Sequence, residues 1–171
     1  LTERDKEFWQ KGTKTKTKIT AISNPLTFPP QISHNYPIDS KTILAVGRPI
    51  HKKGYDRLLE AWKKIHHLAP EWKLQIIGLD DNEQKKIEEL SKIYEISSSI
   101  NLIPPNKNIF SYYEKSAIYC LSSRVEGFPM VLLETLAFGI PVVSFNCETG
   151  PAEILKDTES VLVEDGDIDG F

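Results

Sequence analysis

Thr42-Ile43-Leu44-Ala45-Val46-Gly47 opens the stretch whose reading decides the fold, and Arg48-Pro49-Ile50-His51-Lys52-Lys53-Gly54-Tyr55 completes it. An uninterrupted apolar run of this length, stopped by glycine, is the pattern of a parallel strand covered on both faces. The polar loop then gives way at Tyr55 to a helical spacing, Leu58, Leu59, Trp62, Ile65 and Ala69, with Pro70 as its stop. Strand, loop and helix recur from there to the end of the chain. Further strands are expected at Leu74–Ile77, Ile100–Ile103, Ala117–Leu121, Pro141–Phe145 and Val161–Val163. Helices are expected at 83–94, 106–116, 130–138 and 151–156. About six strands alternating with helices predict an α/β, Rossmann-like doubly wound parallel sheet with helices on both faces. Ligands of such sheets bind beyond the carboxyl ends of the strands, near a topological switch point, so the loops after the strands carry the function.

Residues before this rhythm behave differently. Leu1 to Gln10 fits a short amphipathic helix with Phe8 and Trp9 as its apolar contacts. Lys11 to Lys18 alternates Lys and Thr, as an edge strand or extended linker would, and leads into a strand-like Ile19-Thr20-Ala21-Ile22. Pro25, Pro29, Pro30 and Pro37 then favour extended chain. Residues 1–40 therefore read as a linker or domain junction, and 41–171 as the domain.

The 171 residues are 40% hydrophobic and 26% charged, which excludes wholesale disorder. A net charge of −3 gives no support to a polyanion partner, and the Lys-rich segment lacks the interleaved aromatics of a nucleic-acid site. No apolar run approaches the roughly 20 residues that span a bilayer. The charged opening Leu1-Thr2-Glu3-Arg4-Asp5-Lys6 does not read as a signal peptide. Cys120 and Cys147 lie in apolar stretches without metal-ligand spacing, as reduced core residues of a cytosolic protein do. The chain lacks an initial Met and stops at Asp169-Gly170-Phe171, just after a turn signal, and so reads as a piece.

Two loops carry chemistry. Arg48, Lys52 and Lys53, with His51, gather where a following helix N-terminus favours anions. Gly47 and Gly54 would let the backbone turn and approach a ligand closely. The spacing matches neither a Walker A loop nor Gly-x-Gly-x-x-Gly, so a phosphate site and a solvated basic loop both remain open here. The loop after the fourth strand, Ser122-Ser123-Arg124-Val125-Glu126-Gly127-Phe128-Pro129, runs into Met130-Val131-Leu132-Leu133-Glu134. Pro129 fits a first helical turn, and backbone N–H groups near Gly127 and Phe128 would face a phosphate. Glu134 sits in a helix apolar on nearly all sides, where an unpaired carboxylate is costly. It needs backbone donors or a polar partner such as a ligand hydroxyl, unless it lies on an exposed stripe.

Taken together, Gly47-Arg48 with Lys53-Gly54, Glu126-Gly127-Phe128-Pro129 with Glu134, Gly139-Ile140-Pro141-Val142-Val143 and Gly150-Pro151-Ala152-Glu153-Ile154 are similar to the C-terminal domain of family-4 retaining glycosyltransferases of the GT-B fold. The resemblance runs from about residue 41 to the end, and its signature is the Glu-x7-Glu pair. It implies the donor-binding half of an enzyme that transfers a hexose or N-acetylhexosamine from a nucleotide-diphosphate sugar, expected to be a UDP-sugar. The acceptor, a glycan or lipid-linked sugar of cell-surface polysaccharide synthesis, would be bound mainly by an N-terminal domain absent from this sequence. Residues 1–40 become that domain's tail and the interdomain linker. By the resemblance, Gly47, Arg48 and Lys53 hold the diphosphate, which makes a metal or other cofactor unnecessary. Gly127, Phe128 and Pro129 wrap phosphate and sugar, Glu126 contacts the donor sugar, and Glu134 accepts the ribose hydroxyls. Arg48, Lys53 and Glu126 are the expected catalytic set, and Ile103 at the end of the third strand is a wall for the base. A cytoplasmic protein follows, touching the inner membrane face through the absent domain. Gly150-Pro151 departs from the commoner Gly-Gly form, which leaves that loop's contact with the sugar open.

Other features carry less. Asp165-Gly166-Asp167 and Asp167-Ile168-Asp169 match an Asp-x-Asp metal motif but read better as caps of a final helix. His66 and His67 have no partner cluster, and Asp80-Asp81-Asn82 reads as a loop with a helix N-cap. The competing functions are a sugar-nucleotide epimerase of similar architecture, against which the Glu pair argues, and a non-catalytic nucleotide-binding module.

Overall fold

A computed structural model describes residues 2–13, 17–26, 28, 36–48 and 50–171. The apolar runs pair into one parallel sheet: β1 (Thr42–Val46), β2 (Lys73–Ile77), β3 (Ile100–Ile103), β4 (Ile118–Leu121), β5 (Val142–Asn146) and β6 (Val161–Glu164). Their order is β3-β2-β1-β4-β5-β6. β1 thus pairs with β2 on one side, Leu44 opposite Gln75, and with β4 on the other, Leu44 opposite Tyr119. The connections run outward one way from β1 to β3, then return to β4 and run outward the other way. The switch point lies between β1 and β4, and the loops that leave those two strands flank it.

Successive strand residues serve opposite faces, which is why β1 is apolar without a break. Ala45, Leu74 and Ile76 join a core with Leu58, Leu59 and Trp62 of α3 (Tyr55–Ile65) and Ile87 of α4 (Asp81–Ile93). Leu44, Ile77, Tyr119 and Leu121 join a second core with Tyr113 of α5 (Phe110–Tyr113) and Leu132 of α6 (Met130–Ala137). The residues of both clusters are buried, and the indole of α3 donates from Trp62 Nε1 to Ser99 Oγ at 2.8 Å.

Several boundaries differ from the pattern reading, each for a local reason. The loop after β1 contains one helical turn, α2 (Ile50–Lys53). α3 ends at Ile65, because Ile65 and Leu68 are already 47% and 73% exposed and no longer face the core. α4 starts at Asp81, where the Asp80 carboxylate accepts from Asn82 and Glu83 N–H and the Glu83 carboxylate from Asp80 N–H, a capping box. α5 is a single turn, because Pro104-Pro105 precedes it and Asn106 Oδ1 takes the Asn108 N–H at 2.8 Å, closing a turn instead of a helix. A 3₁₀ turn at Ser97–Ser99 leads into β3. Toward the end, α7 (Pro151–Ile154) is followed by β6 and a series of turns. The aspartates after β6 cap no helix; Asp165 instead pairs with Arg57 at 2.8 Å and Asp169 with Lys64 at 2.5 Å.

At the start of the chain, α1 (Glu3–Gly12) is helical as expected, but Phe8 and Trp9 are exposed and meet each other edge to face. Residues 19–22 form no strand. Of the Lys/Thr alternation and the prolines, Lys14 to Lys16, Pro29 and Pro30 fall outside the described residues. No helix is long and apolar enough to cross a membrane among the described residues.

Candidate functional site

Three loops meet at the switch point. The first leaves β1 at Gly47, whose φ of +124° suits glycine. A Cβ there would come 2.7 Å from Lys53 Cε, so the bare backbone is what lets the Lys53 side chain lie across it. Gly54, at φ +65°, is the N-cap of α3 and is buried against the neighbouring loop rather than open to a ligand. A Cβ on Gly54 would overlap the carbonyl oxygen of Ser122.

The second loop, after β4, is stitched to the first through backbone and side chain. Ser122 Oγ donates to Lys53 O at 2.8 Å, and Arg57 Nη2 donates to Ser122 O at 2.9 Å. Arg124 N–H bonds Lys52 O at 2.9 Å, while its guanidinium reaches His51 O at 2.9 Å and both oxygens of Asp56 at 2.7 and 2.5 Å. A forked pair of this geometry both binds and orients.

Across the seam, Lys53 Nζ meets Glu126 Oε1 at 2.7 Å, with only 14% and 9% of the two side chains exposed. Ser123 Oγ donates to the same oxygen at 2.6 Å. The lysine expected at a diphosphate and the glutamate expected at a sugar are thus partners of each other. Arg48 remains exposed beside them, with no partner among the described residues.

Loop three, between β5 and α7, closes the arrangement. Thr149 Oγ1 donates to the Glu126 carbonyl. Gly150, at φ +98°, packs so tightly that a Cβ would overlap Pro129 Cδ. Pro129 is buried at the N-cap of α6, one residue earlier than expected, and offers no side-chain cap. Leu132 N–H turns back to Pro129 O at 3.0 Å, and no side chain caps Met130 or Val131 N–H among the described residues. Gly127 is exposed and has open space where a Cβ would stand, and Phe128 is half-buried.

Glu134 sits half-buried on α6 and does not wait for a ligand to satisfy it: Tyr113 Oη donates to its Oε2 at 2.7 Å. Burial, then the Glu134 charge and this bond, push the Tyr113 phenol far above its ordinary value, so it stays a donor. Ile103 ends β3, two strands out from β1, half-buried against the same core layer as Tyr113. It makes no contact with the Lys53–Glu126 pair that the described residues record.

Sequence reasoning gave Ser122, Ser123, Arg124 and Tyr113 no part in the site, and it expected the helix at α1 without its contact to α7. The Glu153 carboxylate of α7 accepts from the Glu3 and Arg4 N–H groups at 2.9 and 3.3 Å. A cavity of about 410 Å³ lies between Arg4, Phe8 and Lys11 of α1 and Glu126, Gly127 and Thr149. The capping pair Thr2 and Asp5 was the available signal for where that helix begins. No group of three His, Cys, Asp or Glu side chains able to hold a metal occurs among the described residues. Both cysteines are free and buried, and burial pushes the Cys147 thiol up to about 11.

The Arg124 clamp gives a pH signature. Its hydrogen bond holds the Asp56 carboxyl below the ordinary 3.8, against a smaller opposing effect of burial. A carboxyl depressed by folding contributes stability above its unfolded value and loses it as pH falls through the folded one. The stability gap between wild type and Asp56→Asn is therefore expected to close as pH falls below about 4, and to be small because Asp56 is half-exposed. Thermal melts across that range test it; a gap that does not change with pH would contradict it.

The chain matches the family described as Glycosyl transferases group 1 over residues 31–171. It is 39% identical over 160 residues to an uncharacterized glycosyltransferase of Haemophilus influenzae, covering 94% of this chain and 44% of that one. To the amylovoran biosynthesis glycosyltransferase AmsD of Erwinia amylovora it is 36% identical over 167 residues, covering 95% and 46%. Among solved structures, a point mutant of S. aureus TarM in complex with fondaparinux, alpha-GlcNAc-glycerol and UDP superposes with a TM-score of 0.86 at 19% identity, over 99% of this chain and 34% of that one. The six-stranded α/β architecture is thus that of the GT-B glycosyltransferases, and the chain spans under half the length of these relatives.

Proposed function

Because this chain belongs to the group 1 glycosyl transferases, we propose that it is the donor-holding half of a retaining, family-4-type hexosyltransferase of cell-surface glycan synthesis. The observation that carries the proposal is the meeting of Lys53 and Glu126 at 2.7 Å from the two loops that flank the switch point. A cation for a diphosphate and a carboxylate for a sugar hydroxyl are there held side by side.

In this reading the donor is a nucleoside diphosphate hexose or N-acetylhexosamine, with UDP the favoured nucleotide. Arg48 and Lys53 take the negative charge of the diphosphate, which removes the need for a metal ion. Gly127, Phe128 and Pro129 offer backbone to the distal phosphate at the uncapped start of α6. Glu126 accepts from the donor sugar, Glu134 accepts from the ribose hydroxyls, and Ile103 borders the base. Transfer breaks the bond between the anomeric carbon and the phosphate oxygen, and the acceptor oxygen bonds to the same face of that carbon. The departing phosphate takes the acceptor's proton. The protein supplies positioning and stabilisation of the charge that develops on the leaving diphosphate.

Residues 1–40 are read as the tail of an acceptor-binding domain and its linker. The acceptor would then be a glycan or lipid-linked sugar presented at the cytoplasmic membrane face. One relative is named for amylovoran biosynthesis and the solved TarM form contains UDP, and both support this direction.

Isothermal titration with UDP and GDP tests the site. The chain is expected to bind one of them with micromolar to millimolar affinity and to transfer no sugar alone. Arg48→Ala should weaken that binding about tenfold or more, as loss of a charge-assisted bond does. If neither nucleotide binds, or Arg48→Ala leaves affinity unchanged, the reading fails.

A further inference from the structure

The bond between Tyr113 and Glu134 gives the proposed ribose acceptor a partner inside the protein. Tyr113 ends a one-turn helix and is fully buried, with its ring packed at 5.4 Å from that of Phe138. Its hydroxyl bonds only one oxygen of Glu134, Oε2, and the carboxylate makes no other hydrogen bond among the described residues. This bond restrains the orientation of the carboxylate. One oxygen is tied down, and the other keeps its full capacity to accept.

We infer that Tyr113 is the positioning residue that sets Glu134 for a vicinal diol, and so makes the site selective for ribonucleotides over nucleotides lacking the ribose hydroxyls. Two hydroxyls on adjacent carbons donate together to one orientation of a carboxylate. A freely rotating one must be ordered at the moment of binding, at an entropic cost. Tyr113 removes that cost in advance. The inference rests on Glu134 being the ribose acceptor.

The test compares binding of the better of UDP and GDP with that of its 2′,3′-dideoxy counterpart, by titration calorimetry on wild type, Tyr113→Phe and Glu134→Gln. Wild type should prefer the ribonucleotide by about tenfold or more. Tyr113→Phe should weaken the ribonucleotide about fivefold and leave the dideoxy form unchanged, so that the preference narrows toward that of Glu134→Gln. A merely structural tyrosine would weaken both nucleotides by the same factor, and that result overturns the inference while leaving Glu134 in its role. Equal binding of the two nucleotides by wild type overturns both. Should Tyr113→Phe fold poorly, 3-fluorotyrosine at position 113 is a stronger donor of almost the same size. It should widen the preference, and an unchanged preference counts against the inference.

Discussion

Gly54→Ala is expected to destabilise this domain by about 3 kcal/mol or more, the sum of left-handed backbone strain and forced displacement of a packed loop. The strain follows from φ +65° at the start of α3. The displacement follows from where the new methyl would stand, in overlap with the Ser122 carbonyl oxygen and 3.0 Å from its carbon. Neither atom belongs to a flexible side chain, so the β4 loop itself must retreat. Retreat loosens the bonds from Ser122 Oγ to Lys53 O and from Arg57 to Ser122 O. In a domain of this size the melting temperature should fall by roughly 6–12 °C. Gly127→Ala supplies the control, since nothing lies within 4 Å of its would-be Cβ. It should melt within about 2 °C of wild type. If Gly54→Ala does the same, the close approach of the two loops is not what the structure describes.

Removing Lys53 should cost nearly as much by a different route. Lys53→Met leaves Glu126 with Ser123 as its remaining donor and its side chain 9% exposed. A buried charge that has lost its partner typically costs about 3–5 kcal/mol, whereas a pair removed from both sides costs far less. The double variant Lys53→Met/Glu126→Gln should therefore be more stable than Lys53→Met alone, by about 2 kcal/mol. Chemical denaturation of the four proteins in this cycle measures the coupling directly. Strictly additive effects of the two substitutions would show that the 2.7 Å contact stores no interaction energy.

Much of the fold was legible because its signals are local. Gly47 and Gly78 end β1 and β2, and both carry positive φ, as a glycine stop after a strand suggests. The capping residue at Asp80 could be read within four positions of chain. α5 was overextended because apolar spacing at Ile109, Phe110 and Tyr113 says nothing about the Asn106 turn that competes with it. The site was legible as a list of residues and not as a set of contacts. Lys53 and Glu126 lie 73 residues apart, and no periodicity links them. Helical spacing at Tyr113 assigns its ring to a core and cannot tell where its hydroxyl lands. Gly54 was read as room for a ligand, and the room is taken by Ser122.

The strand order has a consequence for how the chain assembles as it leaves the ribosome. In β3-β2-β1-β4-β5-β6 every new strand joins an outer edge, and none has to be threaded between two already paired. The first half-sheet can zip up as soon as β3 emerges, leaving the far flank of β1 bare until residues 118–121 arrive. Domains of this size are synthesised over several seconds or more, long compared with strand pairing. For that interval the basic loop after β1 exists without the glutamate that will neutralise it. The crevice between the β1 and β4 loops is thus built late, at the flank of β1 left open until β4 arrives.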